Sequence, residues 1–157
     1  MSPPGGSCRE PSPKGVYVLL LQSAGGGLSI GSLGECRFSR GWYGYIGSAR
    51  GPGGFARVRR HYRLYLDRDR PPSWHIDHLL LDSRFRLRYL VCGITEQDQE
   101  CQLAELLIPP GLPGFGCSDC RCLSHLFYRK HDPKEDVMRA FSELAILPVI
   151  KTINNHG

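Results

Sequence analysis

The chain has 157 residues, of which 41% are hydrophobic and 22% charged, and its 20 Lys+Arg against 15 Asp+Glu give a net charge of +5. That length fits one domain with room for one substantial core, and no run approaches the ~18 apolar residues that a membrane-spanning helix needs. The modest basic excess, most of it arginine, permits a polyanionic partner without demanding one.

In chain order, residues 1–13 carry Pro3, Pro4, Pro11 and Pro13 and no apolar core. They are expected to form a disordered tail, and they lack the apolar stretch of a secretory signal. Seven cysteines, an odd number without an export signal, point to reduced thiols in an intracellular protein, cytoplasmic or nucleoid-associated. Gly15-Val16-Tyr17-Val18-Leu19-Leu20-Leu21 reads as the first strand. The Gly-rich segment 24–34 reads as a flexible hairpin excursion. Cys36-Arg37-Phe38 reads as a short strand before the main one at 42–48. A strand that ends in small residues and opens, through a Gly/Pro loop, onto arginines at a helix start suits a phosphate. The helical spacing of Phe55, Val58, His61-Tyr62 and Tyr65-Leu66 predicts an amphipathic helix over 54–66, with Arg57, Arg59, Arg60 and Arg63 on its other face. Pro71-Pro72 stops it. A short helix over 74–81 follows, then a third strand over 84–94 with period-two alternation. A helix over 97–108, a cysteine-rich loop, a short strand near 124–128 and a helix over 135–146 complete the chain. The expected architecture is α+β, a small antiparallel three-stranded sheet flanked by helices. The expected organisation is a main domain at 14–130 and a C-terminal helix and tail at 131–157.

Gly15-Val16-Tyr17 and Tyr45-Ile46-Gly47 resemble the paired motifs of the GIY-YIG nuclease superfamily, and the chain looks like its Uri-type branch of putative endonucleases. The resemblance spans residues 14–129. It extends to Trp74-His75-Ile76-Asp77 and to the run from Gly114-Phe115-Gly116 through Ser124-His125. The two tyrosines lie farther apart than in better-known members, and the asparagine that follows the family glutamate has no match here.

Phosphodiester hydrolysis needs a base for the attacking water, cations for the phosphoryl oxygens and stabilisation of the leaving oxygen. The resemblance implies these roles for Tyr17 and Tyr45 as base or water-orienting groups, Arg57 as phosphate clamp, and Glu100 as ligand of Mg²⁺ or Mn²⁺. An electropositive site is expected to hold a tyrosine near ionisation, because its ordinary pKa is ~10. Tyr43 and Tyr45 share a strand face, so periodicity does not choose between them; the family pattern selects Tyr45. His75 and Asp77 are candidates for an acid–base pair, against a structural role locking the loop after Pro71-Pro72. Cys117, Cys120, Cys122 and His125 are candidates for a structural Zn²⁺ site. Arg57, Arg59, Arg60, His61 and Arg63 are the candidate nucleic-acid contacts.

The expected function is metal-dependent endonucleolytic cleavage of DNA, in branched or damaged substrates, with no membrane partner. The alternative is a non-catalytic nucleic-acid-binding module that uses the basic helix alone, since phosphate contacts position without doing chemistry. A third is a zinc-stabilised protein-interaction domain.

Overall fold

A computed structural model of the chain describes residues 13–116 and 124–154. Seven strands and four α-helices follow in the order β1 (Gly15–Ser23), β2 (Gly26–Ile30), β3 (Gly34–Phe38), β4 (Gly41–Ser48), α1 (Ala56–Asp67), α2 (His75–Leu81), β5 (Phe85–Ile94), α3 (Glu100–Leu106), β6 (Leu126–Arg129), α4 (Lys134–Glu143) and β7 (Pro148–Thr152). The main sheet has five strands in the order β6-β4-β1-β5-β7, and β2 and β3 form a separate two-stranded sheet. All pairings are antiparallel. The α+β class therefore stands, but the expected three-stranded sheet is corrected. Its three strands are the inner ones, and β6 and β7 extend it on either side.

β1 is the centre of the sheet because it is apolar on both faces. Val16 through Leu21 are all buried, the signature of a strand covered from both sides. Its odd residues Tyr17, Leu19 and Leu21 pack with Val58 and Leu64 of α1, with Ile76 and Leu79 of α2, and with the β2–β3 hairpin. Its even residues Val16, Val18 and Leu20 pack with Leu103 of α3 and with Val137 and Phe141 of α4. The result is three layers, with α1, α2 and the hairpin on one face and α3 and α4 on the other. The segment expected to be a flexible excursion is instead held by Ile30, Cys36 and Phe38, all buried in the first of these cores. Among the described residues, Cys36 and Cys92 are free thiols and Cys101 is disulfide-bonded, a departure at that position from the reduced state expected. No described helix is long and apolar enough to cross a membrane.

Candidate active site at the tyrosine end of the sheet

β1 and β4 stay in register along their whole length, with Tyr17 opposite Gly47 and Leu19 opposite Tyr45. Tyr17 and Tyr45 are therefore diagonal neighbours on one sheet face, with ring centroids 6.3 Å apart. The glycines beside them have a steric purpose. A Cβ at Gly47 would sit 2.2 Å from Tyr17 Cζ, and one at Gly15 would sit 1.9 Å from the carbonyl oxygen of Gly93. Gly47 thus opens the space that the Tyr17 ring fills. Tyr43 points to the same face but belongs to the core at the strand's other half. Its hydroxyl accepts the Ser39 N–H at 2.8 Å, and its ring packs on Phe38, Phe85 and Tyr128. Tyr45, and not Tyr43, therefore lies beside Tyr17.

α1 brings Arg57, Arg60 and His61 to the same side, as i, i+3 and i+4 spacing requires. His61 is fully buried, with Nε2 2.8 Å from the Tyr17 hydroxyl. That burial removes it from the expected nucleic-acid contacts. Burial also lowers its pKa to about 3, outweighing the favourable charge of Asp77, so the imidazole is neutral at neutral pH. Burial likewise pushes the Tyr17 phenol well above its ordinary value. Tyr45 adds to the rise, and the Arg57 charge opposes it without winning. The expectation of a tyrosine held near ionisation is therefore corrected at Tyr17: desolvation exceeds the arginine field. The pair is a neutral phenol hydrogen-bonded to a neutral imidazole.

Arg57 is exposed and lines a cleft of about 520 Å³ together with Tyr17, Tyr45, His75, Glu100 and His125. Its Nη1 donates to the Ser48 carbonyl at 3.4 Å. Trp74, also at the cleft, carries Arg60 Cζ 4.0 Å from its ring centroid and Arg57 Cζ 5.2 Å from it, within cation–π range. Arg60 is itself clamped by both oxygens of Asp77, each at 3.2 Å. Asp77 Oδ2 also accepts the N–H groups of Ser73 and Trp74, which secures the start of α2. Burial alone would raise the Asp77 pKa, but the hydrogen bonds from Arg60, Trp74 and Ser73 hold it below the usual carboxylate value. Asp77 is fully buried and accepts four hydrogen bonds from Arg60, Ser73 and Trp74. Of the two roles expected for Asp77 the geometry fits the structural one and not the acid–base one: Asp77 fixes Arg60 and Trp74 and through them the neighbourhood of Arg57.

His75 does reach the cleft. Its Nδ1 accepts the Gly116 N–H at 2.9 Å, and burial lowers its pKa, so the neutral ring carries its proton on Nε2. Glu100 opens α3 and faces the cleft with 21% of its side chain exposed, and His125 Nδ1 lies 3.2 Å from its Oε2. His125 Nε2 lies 3.9 Å from Cys101 Sγ. No local sequence pattern signals this Glu100–His125 contact; the cysteine-rich run marks His125 as a zinc candidate instead. The other zinc candidates, Cys117, Cys120 and Cys122, lie outside the described residues. Among the described residues no cluster of three or more His, Cys, Asp or Glu side chains is placed to hold a metal. A Mg²⁺ ion needs less, since it takes one or two protein carboxylates and completes its shell with water and substrate phosphate. Glu100, with Asp98 also lining the cleft, fits that requirement. Arg59 and Arg63 are exposed but do not line the cleft; they project from a different side of α1.

A family model described as a domain of unknown function, DUF123, matches residues 16–146, a span that includes every cleft residue named above. No curated protein and no solved structure matches the chain.

Proposed function

The chain belongs to the DUF123 family, whose description carries no activity, and from the cleft itself we propose that it is a metal-dependent endonuclease of the GIY-YIG type that hydrolyses phosphodiester bonds in DNA. The observation that carries this reading is the convergence of Tyr17, Tyr45, Arg57 and Glu100, from four different elements, on one cleft. A binding module needs the arginine but has no use for the tyrosine pair, the buried histidine behind it or the carboxylate.

Arg57 holds the scissile phosphate and neutralises charge growing on its non-bridging oxygens. The half-buried Tyr45 orients the attacking water. Tyr17, fixed by His61 Nε2, positions that water together with Tyr45, and the water's proton leaves to a phosphate oxygen, because burial makes the neutral phenol and the neutral imidazole alike resist a charge. Water oxygen bonds to phosphorus, the bond to the departing oxygen breaks, and that oxygen takes a proton from solvent. His75, with its proton on Nε2, is a donor to the phosphate. Glu100 would hold Mg²⁺ or Mn²⁺, which when bound supplies charge stabilisation at the leaving oxygen. His125 Nδ1 lies beside the Glu100 carboxylate. Branched or damaged DNA is the substrate class this reading favours.

The test is cleavage of labelled duplex, flap, bubble and junction DNA with Mg²⁺ or Mn²⁺, run beside Glu100→Gln and Tyr45→Phe. Cutting by the wild-type protein that both variants lose is the expected result. Salt-sensitive DNA binding without cutting by any preparation would replace the nuclease with a non-catalytic adaptor.

A further inference from the structure

The opposite end of β1 closes a second cavity, of about 650 Å³, lined by Gln22, Trp42, Arg40, Arg84, Arg86 and Lys130 among others. No described lining residue is acidic. Arg84 is neutralised in place, because its guanidinium is held by Asp82 at 2.8 Å and donates to the Gly27 carbonyl. Arg40, Arg86 and Lys130 are different. All three are exposed, and among the described residues none has a carboxylate within ion-pair distance. The floor between them is fixed: Gln22 Oε1 accepts from Arg88 Nη1 at 2.6 Å, and the Arg40 carbonyl accepts the Tyr128 hydroxyl at 2.6 Å. The cations are thus presented on an ordered sheet end.

Their arrangement selects the ligand. Lys130 follows β6, Arg40 precedes β4 and Arg86 lies on β5, with Gln22 of β1 between the last two. Three inter-strand steps of about 4.8 Å spread these backbone positions over roughly 14 Å. Cations carried on four neighbouring strand ends can follow an extended polyanion. A nucleic-acid strand, with one charge per ~3.4 Å of axis, offers about four phosphates over that width. We propose that this cavity is a second phosphate-backbone site, which grips a DNA segment away from the cleft. The register places it five to six residues along β1 from Tyr17, roughly 20 Å at ~3.3 Å per residue, which is about six base pairs of B-DNA. The inference rests on DNA as the partner in the reading above, but not on the cleavage chemistry.

The experiment is binding of a labelled 20-base-pair duplex (about 20, long enough to reach both ends at ~3.4 Å per pair) by fluorescence anisotropy across a NaCl series. Wild type, Arg40→Ala/Arg86→Ala/Lys130→Ala and, as a control exposed on α4 outside both cavities, Glu143→Gln are compared. Each lost phosphate contact lowers the slope of log K against log[salt] by ~0.9, so the triple variant is expected to lose about 2–3 from the wild-type slope, while Glu143→Gln loses none. If the triple variant does not fold, Arg86→Ala alone is expected to lose about 0.9 and Arg86→Lys to recover it. An unchanged slope in these variants, or a wild-type protein that does not bind the duplex, overturns the proposal. So does competition by inorganic phosphate, at matched ionic strength, that disappears in the triple variant, because that marks a small-anion pocket. A protein that shows the slope change but never cuts keeps this site and loses the nuclease. One that cuts with an unchanged slope does the reverse.

Discussion

The two ends of β1 are made of opposite materials. At the Tyr17 end most polar groups other than the exposed Arg57 are buried or half-buried against one another, with Tyr17 on His61, Glu100 beside His125, and Asp77 on Arg60. At the Gln22 end, Arg40, Arg86 and Lys130 stand in solvent. Desolvation is what gives a proton-transfer group its altered acidity and fixed geometry. It would be wasted on a residue whose task is to attract phosphate, where a solvated charge serves and costs little. In the proposed nuclease the sheet separates chemistry from grip by burial, although arginine is present at both ends.

The largest effects are expected from removing the reacting groups of the buried end. Glu100→Gln and Tyr17→Phe should each lower the single-turnover cleavage rate by about 10²–10⁴, the usual worth of positioned acid–base and metal-binding groups. Neither should weaken DNA binding. Loss of binding in step with loss of rate would mean that the buried end also grips, and the division between the two ends would fail.

Much of the fold and of the buried end is legible in the sequence, and the parts that are not share a cause. β1, β4 and β5 announce themselves through their own apolar runs and alternation. The short strand expected near 124–128 is β6 at Leu126–Arg129, although its place at the sheet's edge is not written in its sequence. β7 begins at Pro148 with Val149 exposed, and such an edge strand owes its existence to a neighbour's free hydrogen bonds, a property that lies outside its own sequence. The same holds within the site. Arg57 and His61 could be placed together from helical spacing, and Tyr17 with Tyr45 from the motif pair. The contact of Glu100 with His125 joins the start of α3 to the residue before β6, and no local pattern encodes it. Nor could spacing show that burial overrides the arginine field at Tyr17, because composition does not reveal which groups lose their water.

A smaller effect tests the steric basis of the buried end. Gly47→Ala places a methyl 2.2 Å from Tyr17 Cζ and 2.3 Å from its hydroxyl oxygen, and overpacking of this kind costs about 1–3 kcal/mol. Urea unfolding should show that loss. Tyr17→Leu in the same background, which removes the far end of the ring, should recover part of it, a coupling visible in a double-mutant cycle. Additive losses would mean that Gly47 is not there to admit the tyrosine.

Acid should weaken the fold through the same buried groups. The folded-state pKa of His61 is about 3 against 6.5 for the free side chain, so below pH 6.5 the unfolded chain takes up a proton that the native protein refuses. Stability contributed at higher pH is lost as pH falls through that window, by at most about 1.4 kcal/mol per pH unit from one such group. His75, lowered in the same direction, adds to the slope. Asp77 adds its own loss only further down, as pH falls below 3.8 toward its depressed folded value. Tyr17 acts at the other limit: its raised pKa makes stability fall as pH rises above 10. Denaturant titrations of His61→Gln between pH 6.5 and pH 5 should therefore show a shallower decline than wild type. An identical decline would show that His61 is not held neutral by burial.

The smallest expected effect falls on α1 itself. Arg57, Arg59 and Arg63 are all exposed, carry the same charge and lie within two turns of helix, yet only Arg57 lines the cleft. If position decides, Arg59→Ala/Arg63→Ala changes the single-turnover rate by no more than about twofold, within the ±0.5 kcal/mol usual for surface substitutions, while Arg57→Ala loses most of it. If charge alone decides, the double variant loses more than Arg57→Ala, because it removes two cations instead of one. The Trp74 ring beside Arg57 argues for position. A guanidinium stationed against an aromatic face that Arg60 and Asp77 hold still is arranged to point somewhere, and a general attraction to phosphate needs no such arrangement.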